Sequence, residues 1–502
     1  MQKLLVISIF AKYIQIFKTN MLGDKVTNKI SELQKNFSSD QLKSSTIFQT
    51  INSLKLSANF KEFNYLKQQG YSFHLVLSVL IWLTIRSEKT VNTSLSELSN
   101  HGIEIKKDVF YRLKNSSKIC WRRILWYIVC KFLQATEKDA EKTNSKIRPN
   151  KPKCLIFDDT LIEKTGYKME KIGKTWDHTV NRMKLGFKVL VGYYFDGKSG
   201  IPVDLNLIRE KGQNSDKPYG MSKKHLRRQL SKKRAKESEG AIRVKELNIS
   251  KIILCIEMFL RAVSYSIPID YVLCDSWFTC SNLITAVRQK GSHLIGMYKI
   301  VKTKFKYCGI ERNYKQILLL AGKEKRCKKM NLYYKTARVI YNGMPVTLFF
   351  SRVGTKGDWK VILTTDTKLS FIQMIEIYQI RWSIEVFFKE TKQLLNLGGC
   401  QSSTFDAQIA DTTITMIAYI LLTLRFRYDN YESMGALFRG MNAEILQKTI
   451  DVRLWELFVD LVKIVCEMIE KDFDDMMELL MNKPEVAHWI DNIIENHYKQ
   501  AS

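Results

Sequence analysis

The stretch Cys154-Leu-Ile-Phe-Asp-Asp-Thr160 decides the fold class. It follows a polar run from Glu137 to Lys153 that carries Pro149 and Pro152 and reads as a linker. Four apolar or thiol residues that end on acids predict a short buried strand. An acid directly after such a strand is usually a turn or cap residue, so Asp158 gains meaning only from the elements on either side of it.

Downstream, Phe187 to Phe195 predicts a second strand, and Ile201 to Ile208 a third with period-two alternation. Asp196-Gly197 between them is a hairpin signal. A basic stretch from Lys223 to Lys245 follows, then an amphipathic helix with Ile252, Ile253, Ile256, Phe259, Leu260 and Val263 on one side. A fourth strand, Tyr271-Val-Leu-Cys274, ends at Asp275. Three antiparallel strands, a helix and a further strand is the order of an RNase H-like α/β core, an analogy of order alone. From Leu294 to Thr365 the pattern gives more strands, with Leu332 to Tyr341 and Val346 to Phe350 joined through Asn342-Gly343, and Ser370 opens a helix running to about Asn396.

The expected architecture is therefore α/β: an RNase H-like catalytic core interrupted by a β-rich insertion, with helical N-terminal and C-terminal regions. Its segments are a helical DNA-binding region at 1–136, a linker at 137–153, the first part of the core at 154–293 and the insertion at 294–368. The second part of the core, with the catalytic helix, spans 369–435, and an acidic helical region spans 436–502.

Upstream, helical spacing recurs in Ile30, Leu33 and Phe37, in Phe73 to Ile85 and in Trp121 to Leu133. Leu95 to Ser99 and Lys106 to Lys114, with Gly102 at the turn, fit a helix-turn-helix that would present Lys107, Tyr111, Arg112 and Lys114 to DNA. A helical bundle with a solvated basic face fits the same residues.

The 502 residues include 80 Lys+Arg against 50 Asp+Glu, a formal charge of +30 that points to a polyanion, with nucleic acid ahead of an anionic membrane. Residues 451–502 hold 12 acidic and 5 basic side chains, so the polyanion contact belongs to the preceding residues. The apolar stretches Leu4 to Phe17 and Phe73 to Ile85 fall short of the roughly 20 residues a bilayer needs. Ten cysteines without a C-x-x-C pair read as reduced thiols in a cytosolic protein.

Cleaving and rejoining phosphodiesters without a covalent protein intermediate requires two divalent ions about 3.5 to 4 Å apart. Mg²⁺ prefers carboxylate oxygen, so such a site needs acids at strand ends and a third acid beside them. Asp158 and Asp275 supply two, the latter in Asp275-Ser-Trp-Phe278. The third element is Tyr378-x-x-Arg381-x-x-x-Glu385-x6-Lys392. At about 100° per residue these four positions share one narrow helical face, beside an apolar stripe of Ile377, Ile384, Phe388 and Leu395. Glu385 would ligate an ion, while Arg381, Lys392 and the Tyr378 hydroxyl hold backbone oxygens. The spacing equally permits a plain i,i+4 ion pair between Arg381 and Glu385.

This combination, with Phe157-Asp-Asp-Thr160, resembles the DDE transposases of bacterial insertion sequences that carry a Tyr-Arg-Glu-Lys signature. The resemblance covers roughly residues 60 to 430 and includes Gln229-x-x-Lys232-Lys-Arg234 leading towards Arg243-x-Lys-Glu246. It implies that Asp158, Asp275 and Glu385 are the catalytic ligands of two Mg²⁺ or Mn²⁺ ions. It further implies cut-and-paste movement at terminal inverted repeats, with hydrolysis at the element's end and then attack of the freed 3′-OH on target DNA. Asp159 is the neighbouring alternative to Asp158; alternation on the strand and the family pattern favour Asp158.

The partners so implied are double-stranded DNA, as element ends and target, and a second copy of the chain. No membrane and no small-molecule cofactor are expected, and the site of action is the bacterial cytoplasm, at the nucleoid. Lys223, Lys224, Arg227, Arg228, Lys232, Lys233 and Arg234 are candidates for further DNA contact. His178 reads as structural, and Trp359 reads as a strand residue that could also stack on a base. A non-catalytic DNA-binding protein and a nuclease that only hydrolyses are the rival functions.

Overall fold

Strand β1 (Cys154–Glu163) is longer than its apolar run, because its antiparallel neighbour continues to pair beyond Asp158. The computed structural model describes residues 70–87, 91–94, 105–142, 151–177, 180–299, 303–428, 433–438, 462, 466 and 472–485. The predicted helix around Ile30, the first half of the helix-turn-helix and His178 lie outside them.

In chain order the helices are α1 (Phe73–Ile85), α2 (Lys107–Lys114), α3 (Trp121–Lys142), α4 (Lys223–Arg227), α5 (Glu239–Glu246), α6 (Lys251–Ser264), α7 (Ser281–Gln289), α8 (Tyr314–Leu320), α9 (Phe371–Gln379), α10 (Trp382–Leu394), α11 (Phe405–Tyr428) and α12 (Phe473–Met481). After β1 the strands are β2 (Gly173–Asp177), β3 (Arg182–Phe195), β4 (Gly200–Ile208), β5 (Tyr271–Cys274), β6 (His293–Tyr298), β7 (Lys304–Tyr307), β8 (Ile310–Asn313), β9 (Lys325–Cys327), β10 (Leu332–Tyr341), β11 (Met344–Val353) and β12 (Lys360–Thr364).

All form one 12-stranded sheet in the order β2-β3-β1-β5-β6-β12-β11-β10-β7-β8, with β4 beside β3 and β9 beside β10. Strands β4, β3 and β1 run antiparallel, while β1, β5 and β6 run parallel and are connected through α6 and α7, the RNase H-like arrangement. The short strand β2, which extends the edge of β3, has no counterpart among the sequence-predicted strands. Its five residues, with three polar or charged among them, carry too weak an alternation to read.

The β-rich segment does not stand apart as a second sheet. β12 pairs antiparallel with β6, so the insertion grows from the open edge of the core, and His293 to Tyr298 belongs to both. The Asn342-Gly343 turn has φ of 48° and 81°, the left-handed pair that a two-residue hairpin between Tyr341 and Met344 requires.

The apolar layer over the first part of the sheet comes from α6 on β3 and β4, and from α11, which packs on α1, α3, α10 and β4. This explains α1: an almost uniformly apolar helix is a buried one, and Phe73, Val76, Leu77, Leu80 and Trp82 are enclosed. Among the described residues α11 alone is long and apolar enough to cross a membrane, and 94% of its apolar window is buried inside the fold.

The chain divides into two compact units. One comprises 62–90 and 108–434 and holds the whole sheet. In the other, Phe473, Met476 and Leu480 on α12 pack against Val462 and Cys466. The ten cysteines are free thiols, most of them buried.

Candidate active site

Residues 154–157 of β1 pair with 271–274 of β5 in parallel register, Phe157 opposite Cys274. Asp158 and Asp275 are the next residue on each chain, and adjacent strands are separated by about 4.8 Å. Strand β5 ends there, whereas β1 continues against β3 alone. One edge of β1 is therefore open from Asp158 onwards, and a cavity of 1110 Å³ lined by Asp158, Asp159, Asp275, Lys188, Lys251 and Lys392, among others, occupies that edge. This is the end of a parallel sheet at which ligands are bound in open α/β folds.

The predicted helix through Tyr378 and Lys392 is interrupted. Backbone N–H groups of Ile380, Arg381, Ser383 and Ile384 donate to the carbonyls three residues earlier, at 3.1, 3.0, 3.0 and 3.3 Å, so a tight turn separates α9 from α10. Hydrophobic spacing is blind to this change, since one tightened turn preserves the apolar face: Ile384, Phe388 and Leu395 are buried as the stripe predicts, with Phe387 beside them. Phe387 packs against Tyr193 of β3 and Tyr419 of α11.

Three polar ties hold α9, α10 and the segment after it to β1 and β5. The Tyr378 hydroxyl donates to the Cys274 carbonyl at 3.2 Å, Lys392 Nζ donates to Thr160 Oγ1 at 2.6 Å, and Lys164 Nζ, just past β1, donates to the Gly398 carbonyl at 2.6 Å. Glu385 falls in the first turn of α10, where the helix dipole favours an anion. Arg381 spans two acids, with Nη2 2.5 Å from Glu385 Oε1 and Nη1 3.6 Å from Asp158 Oδ2. The i,i+4 ion pair is thus present, and it extends across to β1.

The two candidate first ligands differ in surroundings. Asp159 Oδ2 lies 3.0 Å from Lys251 Nζ and 3.7 Å from Lys188 Nζ. Asp158 has only the longer contact with Arg381 and its neighbour's backbone N–H at 2.8 Å. Burial, with the charges of Asp275 and Asp159, pushes the Asp158 carboxyl up to about 7. Burial and Asp159 raise Asp275 as well. Lys188 and Lys251 escaped the sequence reading; the signal for Lys188 was a single charge inside the apolar run Phe187-Lys-Val-Leu190.

No three acids, histidines or cysteines among the described residues converge on a single metal-sized point, and Arg381 pairs with both Asp158 and Glu385. The donor set nevertheless fits a hard divalent cation: hard oxygen ligands only, two of them half-buried at adjacent strand ends and held above their usual range by desolvation and by neighbouring carboxylates.

The basic stretch divides. Lys223, Lys224, Arg227, Arg228 and Lys233 are exposed, on and after α4. Lys232 and Arg234 are committed inside the fold instead. Arg234 Nη2 lies 2.6 Å from Glu170 Oε2 and its Nε 3.1 Å from Asp406 Oδ1, while Lys232 Nζ lies 2.6 Å from Asp406 Oδ2 and also bonds the Asn115 carbonyl. The rest of that motif is structural too: Gln229 donates to the Ile172 carbonyl, and Arg243 and Glu246 pair at 2.9 Å in a buried network with Arg122 and Asp204.

On α2, Arg112 and Tyr111 are exposed, whereas Phe110 and Leu113 are buried and Lys114 pairs with Asp411 at 2.5 Å. Trp359 is half-buried, with the Arg352 guanidinium 4.6 Å from its ring.

Residues 252–421 match the family described as "Transposase DDE domain", and residues 134–300 match "DDE superfamily endonuclease". The first match contains Asp275, Glu385 and the Tyr378-Arg381-Lys392 set, and the second contains Asp158 and Asp275. No curated protein matches the chain.

Proposed function

This chain carries a DDE transposase domain, and on that basis we propose that it is a DNA transposase that moves an insertion sequence by cut-and-paste. The observation that carries the reading is that Asp158 and Asp275 directly follow the last residues paired between β1 and β5, with Asp158 joined to Glu385 through Arg381. An arginine that already touches two acids is placed to exchange one of them for a phosphate oxygen.

In this reading Asp158, Asp275 and Glu385 would hold two Mg²⁺ or Mn²⁺ ions, which would supply an activated attacking oxygen and charge relief at the leaving oxygen. Arg381 and Lys392 take the non-bridging oxygens of the scissile phosphate and its neighbour. Tyr378, kept neutral by a phenol that burial raises, holds α9 to the end of β5 and so sets the distance between the acids. Water is the first nucleophile and the freed 3′-OH the second, so one site serves hydrolysis and strand transfer. The exposed cations Lys223, Lys224, Arg227, Arg228 and Lys233, with Arg112, extend the contact along the duplex. Two copies of the chain bring two inverted-repeat ends together at the nucleoid.

The test is a Mg²⁺-dependent assay on DNA bearing the inverted repeats that flank the gene, with Asp158→Ala, Asp275→Ala and Glu385→Ala beside the wild type. Cleavage that survives any of these three removes the site assignment. Nicked but never joined products make the enzyme a hydrolytic nuclease.

A further inference from the structure

Trp277 stands two residues past Asp275, and 64% of its surface is open to solvent, although an indole is among the side chains that gain most from burial. The exposure does not come from a loose loop. Asp275 Oδ1 accepts the Trp277 backbone N–H at 2.8 Å, and the Asp275 carbonyl accepts from Thr279 N at 3.2 Å and Thr279 Oγ1 at 2.8 Å. Phe278, between them, is 1% exposed. The turn lies so close to β6 that a Cβ on Gly296 would stand 2.1 Å from Thr279 Oγ1. Lys299, just past β6, holds its Nζ 4.5 Å from the Trp277 ring centroid. The turn is therefore pinned to Asp275 with the Lys299 ammonium over the Trp277 ring, and Trp277 lines the same cavity as Asp158, Asp275 and Lys392.

We propose that Trp277 and Lys299 form a nucleotide subsite that stacks one unpaired base of the DNA strand beside the phosphate held at Asp158 and Asp275. The inference rests on the transposase reading and deepens it by naming the form of DNA the site takes. Every base offers a π-face, so a single indole accepts any of them, and the neighbouring ammonium suits the adjoining phosphate. Within a duplex both faces of a base are covered by its neighbours. The subsite consequently selects a strand end or a locally opened duplex over a continuous one. A turn whose backbone is already pinned needs no reordering on binding, which favours affinity.

The experiment uses the full-length protein with Ca²⁺ in place of Mg²⁺ and a duplex oligonucleotide carrying an unpaired tail, with 2-aminopurine as the first tail base. Wild type quenches the 2-aminopurine. In Trp277→Ala the quench disappears and affinity for the tailed DNA falls about 5- to 150-fold, as removal of one base stack predicts, while affinity for the blunt duplex and the melting temperature hold. Trp277→Phe recovers part of both signals, and Lys299→Ala weakens binding while the quench remains. Retention of quench and affinity in Trp277→Ala overturns the subsite, as does equal weakening on blunt and tailed DNA. A parallel Mg²⁺ reaction separates the two readings: if the wild type cleaves DNA, such results remove only the subsite, and if it neither binds nor cleaves DNA, the transposase reading falls and takes the subsite with it.

Discussion

Around Arg234, the two carboxylates Glu170 and Asp406 meet the two cations Arg234 and Lys232, at side-chain exposures of 1%, 3%, 6% and 28%. Around Arg381, Asp158 and Glu385 share a single guanidinium beside Asp275, while Lys251 turns to Asp159 and Lys188 divides between Glu210 and Asp159. Both clusters draw on the same residue types and both tie distant parts of the chain together. Their charge balance separates them. A matched, hydrogen-bonded cluster has nothing left to bind and serves to hold β2's flank, the basic stretch and α11 in place. A cluster with surplus negative charge, one of whose acids is pushed up to about 7 by burial and its neighbours, is poised for a cation.

Substitutions in either cluster test this difference, most strongly at the acids. Asp158→Asn, Asp275→Asn and Glu385→Gln should each lower DNA cleavage by more than the ~10²-fold that removal of even an outer metal partner costs. Thermal melting should stay unchanged or rise, because the substitution relieves uncompensated charge. A fall in melting temperature with activity retained would reverse the roles of the two clusters.

Arg234→Ala should do the opposite and remove about 3–5 kcal/mol of stability by stranding buried Glu170 and Asp406, read from denaturant titration. Arg234→Lys should recover only part of this, since a point charge cannot serve both carboxylates as the planar fork does.

Arg381→Ala probes the cation that stands among the surplus acids. Removing a charge-assisted hydrogen bond of about 1.5–3 kcal/mol weakens DNA binding roughly 10- to 100-fold. Mn²⁺ binding without DNA, followed by electron paramagnetic resonance, should become tighter, because a competing cation has been removed from Asp158 and Glu385. Weaker Mn²⁺ binding would make Arg381 a support for the acids instead of their counter-ion.

The smallest effect belongs to the exposed half of the basic stretch. Alanine at Lys223, Lys224, Arg227 and Arg228 together should flatten the salt dependence of DNA affinity by up to about 0.9 in log–log slope for each phosphate that is no longer neutralised. Cleavage at saturating DNA should not change.

Much of the fold and the site was legible because periodicity and strand-end acids are local signals. β1, β3, β4 and β5, helix α6, and the Asn342-Gly343 hairpin all follow from runs of a few residues. Less legible were the features that depend on a neighbour. The extension of β1 past Asp158 is set by β3, the tight turn between α9 and α10 preserves the apolar face and so leaves no trace in it, and β2 is too short and polar to announce itself. Lys232 and Arg234 looked the same as Lys223 and Arg228 in a charge run, and only Glu170 and Asp406, 64 and 172 residues from Arg234, distinguish them.

The order of amino acids alone offered the groups on which the proposed chemistry draws: acids after two strands, and a third acid with a tyrosine, an arginine and a lysine at regular spacing. Folding settled how those groups are shared. It set Asp158 level with Asp275 through the parallel register of β1 and β5, gave Asp159 to Lys188 and Lys251, linked Asp158 to Glu385 through Arg381, and left Trp277 open beside them. The reason is physical: residue type fixes what a group can bind, but the charge it still carries depends on partners that only folding brings within a few ångströms.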